Sequence, residues 1–493
     1  MLDILNAAND VIWTYVIITM LVGCALYFTL RLRAVQFTML GEMWRQLTQS
    51  GKTENAQQGK TENAQPGKAN GKKPAEGDRK SKPISSFQAF AVSLSSRVGT
   101  GNLAGVASAI FVGGPGAVFW MWVMALLGAS TAFMEATLAQ LYKRRDKASG
   151  SFYGGPAYCM EQGLHRRWMG IIFAVLITIT FGMANQIMQS NTLCDSLGDA
   201  FGVSNFTMGC IITVMTLMVI FGGIQRISRF CSICVPFMAI GYLLLALVII
   251  CLNITAIPGI LKQIVESAFG INQVAGGMVG AAIMQGVRRG LFSNEAGEGS
   301  APNAAAIADI SHPVKQGLLQ ALGVFTDTLV ICSCTAAIIL VAGLYNGTTD
   351  GILLTTESIE QEIGVAGRWF LTAAIFLFVY STIIANYFYG EANVRFICRS
   401  EKQKRLWIFV FRLITGVMVL AGGMMSLQTA WSIIDICMAF MVIVNLIAVV
   451  WLSPRAFWLL KDYKRQRREG KDPVFRKSLL PADIAQDVEC WED

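Results

Sequence analysis

A short polar stretch interrupts a long hydrophobic segment near residue 100. From about residue 84 to 112 the chain is apolar enough to cross a membrane, yet its middle, Ser95 to Asn102, contains Arg97, Gly99 and Gly101. Charged residues at the centre of a bilayer are costly and usually mark a functional site. Glycine lets the backbone leave helical geometry without a steric penalty. The stretch therefore predicts a broken helix.

A broken helix offers two kinds of binding group. The half-helix that starts near Asn102 would point free N–H groups and a partial positive charge into a cavity, which suits a carboxylate. The carbonyl groups of the preceding half-helix, around Ser95 to Val98, would point the other way and suit a small cation. These two features predict a site for an anionic group beside a metal ion.

A second hydrophobic segment has a similar interruption from Gly286 to Gly299. We expect it to unwind close to Gly290, where its backbone carbonyls, with Ser293 and Asn294, would accept hydrogen bonds from an ammonium group. The two breaks together would hold both ends of a zwitterionic amino acid and leave little room for a large side chain.

The alternative is that these glycines only allow close helix packing, a spacing that Gly101 and Gly105 also fit. Packing alone does not explain the charges of Arg97, Glu295 and Glu298. We expect Arg97 to pair with Glu295, with Glu135 as the alternative partner.

The composition requires many membrane spans. Of 493 residues, 54% are hydrophobic and only 15% are charged, which excludes an ordinary soluble enzyme. About 20 apolar residues cross the hydrocarbon core. On that criterion we predict an all-α polytopic membrane protein with eleven transmembrane helices, at about residues 11–34, 84–112, 115–142, 168–190, 205–224, 230–252, 271–310, 314–343, 369–397, 406–426 and 429–452.

The basic residues predict the orientation of these spans. One set of loops and the carboxyl-terminal tail hold 34 of the 40 lysines and arginines, whereas the opposite set holds only Lys262 and Arg368. By the positive-inside rule, the amino terminus lies outside and the carboxyl terminus lies in the cytoplasm.

The chain is predicted to divide into five parts. Residues 1–48 form a peripheral helix with an amphipathic stretch, and residues 49–82 form a low-complexity cytoplasmic linker. Residues 83–267 and 268–455 form two five-helix repeats of inverted topology, each opening with a broken helix. Residues 456–493 form a basic cytoplasmic tail, which we expect to be solvated or, alternatively, to lie against anionic lipid.

Three motifs resemble the alanine/glycine:cation symporter family, the bacterial sodium:alanine symporters. They are Val98 to Gly105, Gly113 to Val123, and Gly290 to Gly297 with its continuation Gly299 to Pro302, and the similarity runs from about residue 83 to 455. The resemblance implies a LeuT-type five-plus-five inverted repeat after one extra helix. It also implies sodium-coupled import of small neutral amino acids, chiefly alanine and glycine, across the bacterial inner membrane.

The resemblance assigns residues to two sites. Substrate would meet Thr100, Gly101, Asn102, Gln189, Phe292, Ser293 and Asn294, although Gln189 is equally consistent with a helix-end amide that faces water. Sodium would bind the carbonyl groups of Ser95, Val98 and Phe378 and the hydroxyl groups of Ser381 and Thr382, because hard cations prefer oxygen ligands. The alternative for these hydroxyls is a bond back to their own helix.

Two residues depart from the family pattern. Arg97 stands where many two-sodium carriers have a small residue, so we expect one sodium ion per substrate. Glu298 stands where many relatives have methionine, which leaves proton coupling open. A channel and an intramembrane enzyme are the other functions considered. Both are disfavoured, since paired broken helices build an occluding site and nothing resembles a nucleophile with its base. No prosthetic group is expected.

Overall fold

The computed structural model describes residues 9, 11–49, 83–146, 150–270, 276–425 and 427–491, and these are almost entirely helical. The predicted linker, apart from its first residue, lies outside the described residues. The helices are α1 (Ile12–Arg31), α2 (Val35–Thr38), α3 (40–49), α4 (Ser86–Arg97), α5 (Gly101–Gly113), α6 (Gly116–Leu141), α7 (Pro156–Gln162), α8 (Arg167–Phe201), α9 (Asn205–Ile220), α10 (Gly223–Leu252), α11 (Ile257–Phe269), α12 (Gly276–Asn294), α13 (Ala301–Ala305), α14 (Pro313–Ala342), α15 (Gly351–Ile363), α16 (Val365–Ile397), α17 (Glu401–Gly422), α18 (Leu427–Arg468) and α19 (Ala482–Ala485). A two-stranded antiparallel sheet, β1 (Arg144–Arg145) with β2 (Phe152–Tyr153), lies between α6 and α7.

Eight helices among the described residues are long and apolar enough to cross a membrane: α1, α6, α8, α10, α14, α16, α17 and α18. The three other predicted spans correspond to α9, which has 16 residues, and to the two segments that the structure interrupts, α4 with α5 and α12 with α13. Helices α4, α5 and α13 are too short on their own, whereas α12 has 19 residues and is not apolar enough. The count of eleven crossings stays a prediction.

The first broken helix has clear local signals at both ends of its first half. Ser85 and Gln88 form a capping box, in which each side chain bonds the other residue's backbone N–H, so α4 begins at Ser86. Helix α4 ends at Arg97, and Val98 has φ of −84° and ψ of 87°, which is not helical. The chain turns helical again with a π-helical turn, Gly101–Gly105. The break at Gly99 therefore lies where the sequence predicts it.

The second break lies further along the chain than predicted. Helix α12 is continuous through Gly290 to Asn294, so the expectation of unwinding close to Gly290 is wrong. The irregular segment starts at Glu295, where φ is 56°, and includes Gly297 and Gly299 with φ of 97° and 78°. Positive φ values are strained for residues other than glycine. The glycines after the helix therefore make the break.

An earlier glycine of α12 has a packing role instead. A Cβ at Gly286 would lie 2.5 Å from the carbonyl oxygen of Ala117, and one at Gly290 would lie 3.4 Å from Cα of Met121. Both contacts are on α6. Gly286 therefore lets α12 approach α6 closely, whereas a Cβ at Gly290 would make an ordinary van der Waals contact.

The broken helices are central, and α1 packs on the periphery. Ser93, Arg97 and Asn102 are all buried. By contrast, only 28% of the residues in the most apolar stretch of α1 are buried. Helix α1 contacts α6 through the hydroxyl of Thr29, which donates to Oγ of Ser130. Helix α1 also reaches the second break, since a Cβ at Gly297 would stand 2.8 Å from Cδ2 of Leu21.

The end of the chain differs from the predicted solvated tail. Helix α18 continues to Arg468, well beyond the predicted end of the last span. Beyond it, Phe475 and Trp491 are buried, and Trp491 Nε1 donates to the carbonyl of Gln140 at 3.1 Å. Asp472 accepts from Lys315 at 2.8 Å. Isolated aromatic side chains within a charged sequence anchor this segment to the protein.

Candidate functional site

The two breaks lie against each other inside the helix bundle. A Cβ at Gly101 would stand 3.0 Å from Cδ1 of Phe292 and 3.2 Å from Cα of Ser293. Such distances are shorter than ordinary carbon contacts, so α5 and α12 can approach this closely only because Gly101 lacks a side chain. The predicted substrate residues of the two segments therefore meet at one place.

Gln189 of α8 lies at the first break rather than in water. Its Oε1 accepts hydrogen bonds from the backbone N–H of Thr100 at 3.1 Å and from the hydroxyl of Thr100 at 2.7 Å. Its Nε2 donates to Oδ1 of Asn185 at 2.9 Å, which fixes the orientation of the amide. Gln189 is buried, so the structure favours the site interpretation over the water-facing one.

Asp327 of α14 joins the two broken helices and was not predicted. Its Oδ1 accepts from Nδ2 of Asn102 at 2.6 Å, and its Oδ2 accepts from Oγ of Ser293 at 2.7 Å. Thr328 donates to Oδ2 at 2.9 Å and also accepts from Nδ2 of Asn294 at 3.3 Å. A buried carboxylate thus stands among three predicted substrate residues, and it supplies a negative charge that suits a cation or an ammonium group.

The structure brings four of the five predicted sodium ligands together, whereas the hydroxyl of Ser381 bonds back to its own helix, the alternative stated above. Oγ1 of Thr382 lies 2.7 Å from the carbonyl oxygen of Ser95, 3.2 Å from that of Val98 and 2.9 Å from that of Phe378. Oγ of Ser381 lies 2.9 Å from the same Phe378 oxygen. These oxygens come from α4, its break and α16, which are 287 residues apart in the chain at the closest contact.

The oxygen cluster has more hydrogen-bond acceptors than donors, as a cation site does. A hydroxyl carries one hydrogen, so Thr382 can donate to only one of the three carbonyl oxygens around it at a time. A second carbonyl oxygen that faces it without a donor is costly when buried. A sodium ion would satisfy several of these oxygens at once. The predicted residues therefore fit the ion chemically.

Arg97 does not form the predicted ion pair with Glu295. Glu295 accepts instead from Ser96 at 2.5 Å and Ser300 at 2.6 Å, and Nη1 of Arg97 donates to the carbonyl of Gln320 at 3.2 Å. Among the described residues, no carboxylate oxygen lies within ion-pair distance of Arg97. The alternative partner, Glu135, accepts from Asn445 and from the N–H of Gly297.

Arg97 acts over a longer range on several acids. Its charge attracts the carboxyl groups of four buried residues, which are Glu135, Glu295, Glu298 and Asp327. Room for the guanidinium comes from Gly323, where a Cβ would stand 2.3 Å from Nη1 of Arg97. One buried positive charge thus acts on several carboxyl groups through space, and none of them forms an ion pair with it.

On the predicted outer side of the breaks, α12 and α18 close over the site. The rings of Phe292 and Trp431 meet edge to face at 4.8 Å, and the guanidinium of Arg289 lies 3.8 Å from the Trp431 ring. Arg289 also pairs with Asp435 at 3.0 Å, and both are buried. Breaking such a buried pair by removing one partner is strongly destabilising, so Arg289 and Asp435 hold α12 and α18 together here.

Sequence reasoning missed Asp327, Trp431 and Gly323. Of these, only Asp327 left a signal, because an acidic residue within a hydrophobic span is costly and suggests a function. Trp431 and Gly323 look like ordinary residues of membrane helices. The described part of the chain has four π-helical segments. Three of them, at Gly101–Gly105, Thr180–Ala184 and Phe325–Cys332, lie in or next to the elements that form the site. Such irregular turns are frequent at functional sites.

Two interrupted helices that meet at a buried polar site define a secondary active transporter that works by alternating access. Comparison with known proteins agrees. The family model described as the sodium:alanine symporter family matches residues 1–477. The chain belongs to the sodium:alanine symporter family, and membership of a transporter family confirms that it is not an enzyme.

Two relatives from Bacillus subtilis are similar over nearly all of this chain. One is named "Probable sodium/glutamine symporter GlnT", is 46% identical and is matched over 99% of this chain and 95% of its own length. The other, "Amino-acid carrier protein AlsT", is 44% identical over 100% of this chain and 98% of its own length.

A solved structure shows the same architecture. The crystal structure of MhsT in complex with L-phenylalanine superposes with a TM-score of 0.51, at 13% sequence identity, over 76% of this chain and 97% of that one. At this level of identity the likeness concerns the fold alone. It confirms the predicted fold class, an all-α membrane protein of LeuT type.

Proposed function

We propose that this protein couples the entry of Na⁺ to the uptake of small neutral amino acids, with alanine and glycine as substrates. The observation that carries this proposal is the meeting of four oxygen atoms, which are Oγ1 of Thr382 and the carbonyl oxygens of Ser95, Val98 and Phe378. The family description, which names sodium and alanine, supports it.

The substrate would lie between the two breaks. Its carboxylate would face the N–H groups at the start of α5, at Gly101 and Asn102. Its ammonium group would face the end of α12, where Ser293 and Asn294 stand beside Asp327. The carboxylate of Asp327 would give this end of the site most of its preference for a positive charge.

The remaining predicted substrate residues would set the size of the pocket. Thr100 and Gln189 hold each other beside the first break. Phe292 packs against Trp431 on the predicted outer side of the second break. Two aromatic rings on one side and helix backbone on the other leave space for a short side chain, which favours alanine and glycine over larger amino acids.

The proposed sodium ion would link substrate binding to the conformation of the protein. Ser95 and Val98 belong to the broken segment, whereas Phe378, Ser381 and Thr382 belong to α16. An ion that binds both elements stabilises the state in which they are close, and it therefore favours the geometry of the first break. We propose one sodium ion per substrate, because the fixed charge of Arg97 repels a second cation nearby.

Proton coupling is the second candidate for the energy source. Four buried carboxyl groups lie within the range of Arg97, and Oε1 of Glu298 has no hydrogen-bond partner among the described residues. A buried carboxyl group without a partner is more stable when it is protonated. A proton held at Glu298 could then move with the substrate.

Glutamine is the second candidate substrate. It is supported by the name of the 46% identical relative, a probable sodium/glutamine symporter. A glutamine side chain needs more space than alanine and additional polar partners. Competition between the two amino acids for uptake therefore separates these candidates.

We also propose the arrangement in the membrane. The division into repeats at residues 83–267 and 268–455 is supported by the position of a broken helix at the start of each. The orientation, with the amino terminus outside and the carboxyl terminus in the cytoplasm of a bacterial inner membrane, is supported by the distribution of lysine and arginine.

The test is accumulation of labelled alanine, glycine, serine or glutamine in proteoliposomes. An inward Na⁺ gradient is imposed in one series and an inward H⁺ gradient in another, with K⁺ replacing Na⁺ as the control. The proposal predicts that alanine accumulates above its external concentration only with the Na⁺ gradient. Accumulation with H⁺ alone would support the proton mechanism, and simple equilibration in every condition would indicate a channel.

A further inference from the structure

A basic cavity lies far from the transport site, between the end of α1 and the last turns of α18. It has a volume of about 940 Å³. Its charged lining consists of six basic and two acidic residues, which are Arg31, Arg33, Lys461, Lys464, Arg465 and Arg468 with Asp462 and Glu469. None of these residues belongs to the transport site described above.

The acidic residues of this cavity are already engaged. Asp462 accepts from Arg465 and lies 3.5 Å from Nε2 of His312. Glu469 pairs with Lys471 at 2.7 Å. The other five basic residues, Arg31, Arg33, Lys461, Lys464 and Arg468, form no ion pair with any residue that the structure describes. The cavity therefore carries an uncompensated positive charge.

The like charges act on one another. Lys464 is half-buried and is repelled by Arg33 and Arg468. Arg33 is held at its place by strained backbone, since φ is 55° at Arg33 and 51° at Ala34. These values are uncommon for residues with a side chain. The sharp turn after α1 thus places the guanidinium of Arg33 beside other cations that repel it. A bound anion would stabilise this group of positive charges.

The cavity also borders a surface of exposed apolar and aromatic side chains. Leu30, directly before Arg31, is 76% exposed, and Tyr27, one turn earlier, is also exposed. The guanidinium of Arg31 lies 5.4 Å from the ring of Phe457, which itself packs edge to face with Tyr27 at 6.2 Å. Exposed apolar and aromatic side chains beside basic ones are typical of the membrane interface.

We propose that this cavity binds the phosphate group of an anionic phospholipid, with the acyl chains along the exposed side of α1. Basic cavities between membrane helices are suited to acidic lipid headgroups, because each cation near the surface contributes to the attraction. Free inorganic phosphate has the same charged group, so the acyl chains are what distinguish the two sources.

The test measures binding of phosphatidylglycerol to the purified full-length protein in detergent, from the rise in melting temperature with lipid concentration. Phosphatidylcholine with the same acyl chains and inorganic phosphate are tested in parallel. The triple variant Lys461→Gln, Lys464→Gln, Arg468→Gln is expected to weaken phosphatidylglycerol binding on the order of 100-fold, since each cation contributes roughly a factor of five.

The matched control removes three exposed basic residues elsewhere, in the variant Lys402→Gln, Arg405→Gln, Arg476→Gln. It is expected to bind phosphatidylglycerol like the unchanged protein. A second variant, Arg31→Gln with Arg33→Gln, removes charge from the other wall and keeps the test decisive if the triple variant does not fold. Equal binding of phosphatidylcholine, or equal loss in the control, would overturn the proposal. Stabilisation by inorganic phosphate to the same extent would overturn the lipid as the source.

Discussion

The hydroxyl group of Thr382 is the most informative single target in this protein. It stands within 3.2 Å of three backbone carbonyl oxygens, from Ser95, Val98 and Phe378. In the change Thr382→Ala, a bound sodium ion loses one oxygen ligand while the carbonyl ligands remain. A contact between a polar group and a charge contributes about 1.5–3 kcal/mol, which corresponds to a half-saturating Na⁺ concentration roughly 10- to 150-fold higher.

The assay is the initial rate of alanine uptake into proteoliposomes at a series of external Na⁺ concentrations. Thr382→Ser keeps the hydroxyl and is expected to stay close to the unchanged protein. The matched control is Thr372→Ala in the same helix, because Thr372 is buried and its hydroxyl bonds only to the carbonyl of Arg368 at 2.9 Å. If Thr382→Ala leaves the Na⁺ dependence unchanged, or if Thr372→Ala shifts it equally, the sodium site is wrong.

Three further changes test the neighbouring parts of the site. Asp327→Asn keeps the size but removes the charge between the two breaks, so the alanine concentration at half-maximal uptake should rise about tenfold or more, measured in the same assay. Gly323→Ala places a Cβ against the guanidinium of Arg97 and should lower stability by about 1–3 kcal/mol in a thermal unfolding assay, whereas Gly280→Ala, where a Cβ meets nothing within 4 Å, should not. Gly101→Ala pushes α5 away from α12 and should abolish alanine uptake while the protein still folds, as judged by its elution as a single species in size-exclusion chromatography; normal uptake would contradict the close approach of the two breaks.

The sequence predicted the fold class because its signals are strong and local. Long apolar segments and the glycine-rich interruption at Gly99 act within a few residues of the feature they determine. The proposed sodium ligands were predicted through a resemblance, and four of them come together because one turn of α16 presents the carbonyl oxygen of Phe378 and the hydroxyl of Thr382 to the first break.

Other features depend on partners that are distant in the chain. Gly286 and Gly290 suggested a break, but both lie within a continuous helix. Gly286 lets α12 fit against α6, and only the three-dimensional contact separates the two roles of glycine. The role of Asp327 depends on its hydrogen bond with Asn102, which lies 225 residues away in the chain. Arg97 was expected to have one partner, whereas the fold gives it several acids at longer range.

The central claim is that sodium bound between α4 and α16 prepares the broken helices to receive the substrate. Equilibrium binding of labelled alanine to the purified protein tests this most directly, with NaCl compared with choline chloride at equal ionic strength. The account predicts at least about tenfold tighter binding in Na⁺, because an ion that favours one conformation increases the affinity of a ligand that needs it. Equal affinity for alanine in the two salts would contradict it.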